Sequence, residues 1–246
     1  MGDPVYCPNC GQPAGDQVPD DLAPKWRERL LRFGVLCADC ARDEEVRREH
    51  EDAAEEAREH KRRVATWRAA SGIPELLRGL DLIDTDHPDA WEAAARWAAD
   101  EIRGLLFTGP VGVGKTHLMA AAAWRRLERA PLRWSSTPVL FAHLALPFGE
   151  RLHNVAVSTL AGTVPLVLDD LDKAKASEYS AQQIFTAVDQ RVTAGRPLAV
   201  TTNLSLDELA AKWPEPYGTA IADRLASYCE AYYLEGESRR RLRGAG

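Results

Sequence analysis

The stretch Leu105-Leu106-Phe107-Thr108-Gly109-Pro110-Val111-Gly112-Val113-Gly114-Lys115-Thr116-His117 runs from an apolar, strand-like segment into a helix-like one through a complete phosphate-binding loop. A triphosphate needs several backbone N–H groups converging on its oxygens. Glycines at 109, 112 and 114 let the backbone wrap closely enough to supply them. Lys115 is spaced to reach the β- and γ-phosphates, and the Thr116 hydroxyl to ligate Mg²⁺. The Ala- and Leu-rich segment that follows, Thr116 to Arg129, predicts a helix whose positive end faces the phosphates. The reading is an ATP·Mg²⁺ site cradled by Gly109, Pro110, Val111, Gly112, Val113, Gly114, Lys115, Thr116 and His117.

Hydrolysis needs a metal-holding acid and a group that orients water as well as a phosphate loop. Pro165-Leu166-Val167-Leu168-Asp169-Asp170 offers both, as a buried strand ending in two carboxylates. Asp169 is assigned to the Mg²⁺ shell and Asp170 to polarising the attacking water. Further on, Leu198-Ala199-Val200-Thr201-Thr202-Asn203 is an apolar strand with a polar tip. Ligands of open α/β sheets bind outside the carboxyl ends of strands, which makes Asn203 the expected γ-phosphate sensor.

Working outward, five segments read as strands: 104–108, 138–142 (Pro138 to Ala142), 164–168, 198–202 and 231–234. Helical patterns separate most of them, including one over 89–102 with Trp91, Ala94, Ala95, Ala98 and Ile102 on its apolar face. This alternation predicts an α/β domain around a mainly parallel sheet covered on both sides.

Upstream, Cys7-Pro8-Asn9-Cys10 and Cys37-Ala38-Asp39-Cys40 form two C-x-x-C pairs. Four thiolates so paired fit a tetrahedral Zn²⁺ site, and so small a module needs a metal to fold. A redox dithiol or two disulfides is the competing reading, although no thioredoxin-like pattern surrounds either pair. The fifth cysteine, Cys229, reads as a small buried hydrophobe. Residues 42–70 alternate acid and base, with Asp43 and Arg47, Glu44 and Arg48, and Glu59 and Arg63 four apart. They predict an exposed helical connector, or a docking helix with a thin seam of Val46, Ala53, Ala57, Val64 and Trp67. Ser71-Gly72-Ile73-Pro74 breaks that helix. The expected division is therefore a zinc module over 1–41, a linker over 42–70 and an ATPase domain over 71–246.

The net charge of −6 argues against a protein that coats duplex DNA by charge alone. No stretch approaches the roughly 18 to 20 apolar residues needed to cross a bilayer, and no basic-then-apolar leader begins the sequence. A cytoplasmic protein without a membrane partner is expected.

Phe107-Thr108-Gly109-Pro110 through Gly114-Lys115-Thr116-His117-Leu118, Leu168-Asp169-Asp170-Leu171, Thr201-Thr202-Asn203 and Ala222-Asp223-Arg224-Leu225 together resemble the AAA+ ATPases of the DnaC and DnaI helicase-loader group. IstB transposition ATPases are close relatives of that group, and a zinc-binding N-terminal module is similar to DnaI-type loaders. The resemblance implies a P-loop AAA+ three-layer α/β/α core, a parallel five-stranded sheet and little or no helical lid. It further implies an ATP-dependent loader of a replicative, DnaB-type hexameric helicase onto single-stranded DNA, working as a homo-oligomer or a helicase-templated assembly. By position, Arg224 would be an arginine finger completing a neighbour's ATP site, or alternatively an ion-pair partner within its own chain. Arg240 matches the second-sensor position, with Arg239 as an adjacent rival. Lys173, Lys175 and the basic tail from Arg239 to Arg243 are candidate DNA-contacting cations. An IstB-like transposition helper and a non-hydrolysing ATP- and DNA-binding adaptor are the other readings. Asp170 stands where many AAA+ proteins carry the longer Glu, so slow turnover is expected.

Overall fold

The structure, a computed structural model, describes residues 6–14, 25, 28, 34–81 and 86–238. It divides into two compact units, residues 1–62 and 63–246.

In the first unit, Tyr6 and Pro13 form an antiparallel bridge, and Cys7 N–H donates to Gln12 O at 2.8 Å. The bridge closes a tight knuckle around the first cysteine pair. Gly34 lies close behind it with φ 73°, where a Cβ would fall 2.8 Å from Tyr6 O. Helix α1 (Ala38–Ala70) begins inside the second cysteine pair and runs through the whole segment expected as a connector. Of the anticipated ion pairs Glu44 with Arg48 forms at 3.4 Å, whereas Arg47 turns to Glu44 and to Glu51 in place of Asp43.

The second unit contains α2 (Pro88–Ala98), β1 (Gly104–Thr108), α3 (Lys115–Arg126), β2 (Arg133–Ser136), α4 (Thr137–Leu144), α5 (Arg151–Ala161), β3 (Leu166–Asp169), α6 (Glu178–Thr193), β4 (Leu198–Thr201), α7 (Leu206–Lys212), α8 (Tyr217–Tyr228) and β5 (Cys229–Tyr233). The five strands make one sheet in the order β2-β3-β4-β1-β5, and every pairing is parallel. Successive strand residues point to opposite faces, and here both faces are apolar. Leu105, Phe107, Val167 and Ala199 pack on one side with α2 and α3; Leu106, Leu166, Leu168, Leu198 and Val200 pack on the other with α4 to α8. This is the expected α/β/α sandwich. Among the described residues no helix follows β5.

One expected strand is wrong. Pro138 to Ala142 lies inside helix α4, and the strand of that region is the preceding Arg133–Ser136. Proline at the start of a helix loses no hydrogen bond, and Leu140 and Leu144, four apart, both turn into the core. A short apolar run does not distinguish strand from helix, and here the helical spacing of the two leucines decides. Of the apolar face expected around α2, Ala94, Ala98 and Ile102 are buried. Ala90, Ala93 and Trp97 are buried as well, whereas Trp91 and Ala95 are only partly so. Cys229 is buried as expected, and burial pushes its thiol up to about 12.

Arg191 of α6 is a core residue that sequence reasoning missed. Its guanidinium is 1% exposed and donates to the carbonyls of Thr159, Gly162, Val164 and Pro197. It thereby satisfies the chain ends that lead into β3 and β4, and burial holds its pKa down at about 10.

Candidate functional site

The parallel sheet brings the carboxyl ends of β1, β3 and β4 side by side, and each carries a predicted site residue. β1 and β4 pair from Gly104 with Leu198 to Phe107 with Thr201, and β3 and β4 from Leu166 with Leu198 to Leu168 with Val200. The phosphate loop leaves the end of β1, between β4 and β5.

The loop has the backbone that a phosphate cradle needs. Gly109, Gly112 and Gly114 adopt φ of 129°, 89° and 111°, which side-chain-bearing residues rarely take. A Cβ on Gly109 would overlap Leu234 O just beyond β5, and one on Gly112 would overlap the Ser238 side chain. Gly114 is the N-cap of α3, so the first free N–H groups of that helix face the loop. Val113 is buried, whereas Val111 and His117 lie at the surface.

Lys115 is 5% exposed and donates to Gly109 O and Pro110 O at 2.7 Å and to Asn203 Oδ1 at 2.8 Å. Burial lowers its pKa, opposed by the charges of Asp170, Asp172 and Asp169. Thr116 Oγ1 donates to Asp169 Oδ1 at 3.0 Å. The two oxygens expected to share Mg²⁺ are thus neighbours, and a hydroxyl beside a carboxylate is the hard-oxygen pair that this cation takes alongside phosphate and water. Asp169 is 6% exposed; burial raises its pKa, while hydrogen bonds from Thr201 and Thr116 pull the other way.

Asp170 sits in the left-handed region with φ 55° and ψ 52°, a conformation that costs a non-glycine residue about 1–2 kcal/mol. Thr201 Oγ1 accepts its backbone N–H at 2.9 Å and donates to Asp169 Oδ1 at 2.6 Å. Thr201 therefore holds the Asp169 carboxylate and the backbone of Asp170. It stands within the Thr201-Thr202-Asn203 tip, but only the β3–β4 register reveals its partners. Thr137, at the start of α4, was also missed; it donates to Asp169 O at 3.0 Å and pins the end of β3 from the other side. Asp172 was missed as well; its carboxylate accepts from Asn203 twice, from the backbone N–H and from Nδ2, each at 2.9 Å.

Lys115 with Asn203, and Thr116 with Asp169, thus form two hydrogen-bonded pairs at neighbouring positions of the loop, and Asp170 follows Asp169. Arg224 lies elsewhere: it is exposed on α8 and forms a 2.8 Å ion pair with Asp189 of α6 in its own chain. Lys173 pairs with Asp172 at 3.0 Å, and Lys175 is exposed. Arg240, its rival Arg239 and the rest of the basic tail lie outside the described residues.

In the other unit, the sulfurs of Cys7, Cys10, Cys37 and Cys40 all lie within 4.8 Å of one another, and none is in a disulfide. Zn–S bonds of about 2.3 Å place tetrahedral sulfurs about 3.8 Å apart, so the four thiols fit one Zn²⁺ with small adjustment. The backbone N–H of Cys37 lowers Cys7 to about 6 against the effect of burial, with the amides of Cys10 and Asn9 adding to it. Hydrogen bonding with Cys37, then Cys10 and Cys7, raises Cys40.

The profile of the IstB-like ATP binding protein family matches residues 48–244. Among curated proteins, the chain is 27% identical over 150 residues to a putative ATP-binding protein in an insertion sequence of Mycobacterium tuberculosis, covering 60% of this chain and 59% of that protein. It is 28% identical over 147 residues to the putative ATP-binding protein of insertion sequence IS5376 of Geobacillus stearothermophilus, covering 57% of each. The chain thus spans a little under three fifths of the length of these relatives. Among solved structures, the fold resembles DnaI (TM-score 0.59, 22% identity, 67% of this chain and 96% of that one). It also resembles the DnaC helicase loader (TM-score 0.53, 23% identity, 66% and 100%).

Proposed function

The chain belongs to the IstB-like ATP binding protein family, and on that premise we propose that it is a Mg²⁺-dependent ATPase that loads a replicative hexameric helicase of the DnaB type onto single-stranded DNA. The observation that carries the ATPase reading is the hydrogen-bonded convergence of Lys115, Thr116, Asp169 and Asn203 at the carboxyl edge of the sheet. Phosphate oxygens would take the loop N–H groups and the Lys115 ammonium in place of the loop carbonyls. Mg²⁺, held by Thr116 and Asp169, would neutralise charge on the β- and γ-phosphates. Asp170 would orient a water for attack on the γ-phosphorus; the bond to the β–γ bridging oxygen breaks, and ADP and phosphate leave.

Arg224 would act in trans, exchanging Asp189 for the γ-phosphate of an adjoining subunit and tying hydrolysis to assembly. Arg240 would serve as second sensor. The loading reading is supported by the likeness of the fold to DnaI and the DnaC helicase loader over nearly the full length of those chains, and by the cysteine cluster. In this reading that cluster holds a structural Zn²⁺ and the unit carrying it binds the helicase. Lys175 and the basic tail are the proposed DNA contacts.

A second reading, a helper ATPase for transposition, is favoured by the insertion-sequence relatives. The two separate by partner. Affinity purification of the tagged chain with ATP is expected to retain a hexameric helicase from the native host; recovery of a transposase in its place would support the second reading. No described helix is long and apolar enough to cross a membrane, and a cytoplasmic site of action is proposed with this function.

A further inference from the structure

Asp172 lies in the 3₁₀ turn Leu171–Lys173 that follows β3, with its side chain 6% exposed. Its carboxylate reaches across to the end of β4, where Oδ1 accepts Asn203 N–H and Oδ2 accepts Asn203 Nδ2, both at 2.9 Å. On the far side of the same amide, Asn203 Oδ1 accepts Lys115 Nζ at 2.8 Å. An ammonium can only donate and a carboxylate can only accept. An amide held between them therefore has one orientation, oxygen toward Lys115 and nitrogen toward Asp172.

We infer that Asp172 is a positioning residue of the ATP site, fixing the place and the orientation of the Asn203 amide. This assignment rests on the ATPase reading above. The Nδ2 group has two hydrogens and Asp172 engages one, so the plane of the clamped amide dictates where the second points. That second N–H is the donor Asn203 would offer to the γ-phosphate or the attacking water. Without the carboxylate the side chain is free to turn about its last two torsions and to flip its amide toward Lys115. Burial disfavours the charged form of Asp172, but the two hydrogen bonds from Asn203 and the Lys173 ammonium outweigh it and hold the carboxyl below its usual range. Lys173 is the next residue along, so the clamp also joins the sensor to the turn after β3.

The test compares wild type, Asp172→Ala, Asp172→Asn, Asn203→Ala and the double variant Asp172→Ala/Asn203→Ala. Single-turnover ATP hydrolysis, equilibrium binding of a fluorescent ATP analogue and thermal unfolding are measured for each. Asp172→Ala is expected to slow hydrolysis by about tenfold or more while changing nucleotide affinity by less than about threefold. Asp172→Asn keeps one acceptor and should fall between. In the Asn203→Ala background, removal of Asp172 should change the rate by less than about twofold, because the two act through one contact. Should Asp172→Ala fail to fold, Asp172→Asn alone and with Asn203→Ala answers the same question. Wild-type rates in the Asp172 variants, or an equal loss with and without Asn203, would overturn the assignment while leaving the ATP site intact. A wild-type chain that binds no ATP would overturn the ATPase reading and this inference with it.

Discussion

Thr201 Oγ1 donates to Asp169 Oδ1 at 2.6 Å and accepts the backbone N–H of Asp170 at 2.9 Å, so one hydroxyl on β4 holds the Asp169 carboxylate and the Asp170 backbone at the end of β3. Valine at 201 keeps the shape and removes the hydroxyl, leaving the half-buried Asp170 N–H without this partner and Asp169 Oδ1 with Thr116 in place of two donors. Thr201→Val is expected to cost about 1–3 kcal/mol in urea unfolding and to slow single-turnover hydrolysis, while Thr201→Ser keeps both properties near wild type. A valine variant as active as wild type would remove Thr201 from the site.

Asp169 is held in a buried place that disfavours its charge. Its folded-state pKa is raised above 3.8, so its contribution to stability is fullest below pH 3.8 and fades as pH rises through the raised value. At neutral pH the ionised carboxylate is therefore a cost that Mg²⁺ would offset. Asp169→Asn is expected to raise the melting temperature at pH 7 without Mg²⁺, by about 2–4 °C for each kcal/mol relieved, while abolishing hydrolysis. The gain should shrink as pH falls toward 4. A variant less stable than wild type at pH 7 would contradict this account of the residue.

Much of this site is legible in the sequence because it is written in contiguous runs. The glycines around Lys115 and the paired carboxylates after Leu166-Val167-Leu168 each carry their chemistry in a single segment. Thr201, Asp172 and Thr137 escaped because their partners stand about thirty residues away and meet them only through strand register and the turns beyond it. Pro138 to Ala142 was misread because five apolar residues suit either periodicity. Arg191 has no sequence signature at all, since a lone arginine on a helix reads as surface until the carbonyls around it are known.

The four cysteines lead to a metal prediction. Freshly purified, reduced protein is expected to contain one zinc per chain, and Cys37→Ser to lose it along with structure in the first unit. All nucleotide-site residues lie in the second unit, 63–246, so ATP affinity should stay within about twofold on chelation. Metal analysis, circular dichroism and nucleotide titration check the three parts; protein free of zinc would contradict the first.

The proposed role of Arg224 predicts complementation. Arg224→Ala should bind ATP normally and hydrolyse it about 10³-fold more slowly, and Lys115→Ala should supply a working arginine without a working site of its own. Mixing the two inactive proteins is expected to restore measurable turnover. No recovery at any ratio, with assembly verified by light scattering, would return Arg224 to its ion pair with Asp189.

The central claim is that the Lys115 site binds and hydrolyses ATP, and single-turnover hydrolysis by wild type and Lys115→Ala tests it most directly. Wild type is expected to convert bound ATP to ADP and phosphate in the presence of Mg²⁺, and the alanine variant to fall by about 10²–10³-fold without loss of fold. Equal hydrolysis by the two proteins would contradict the account.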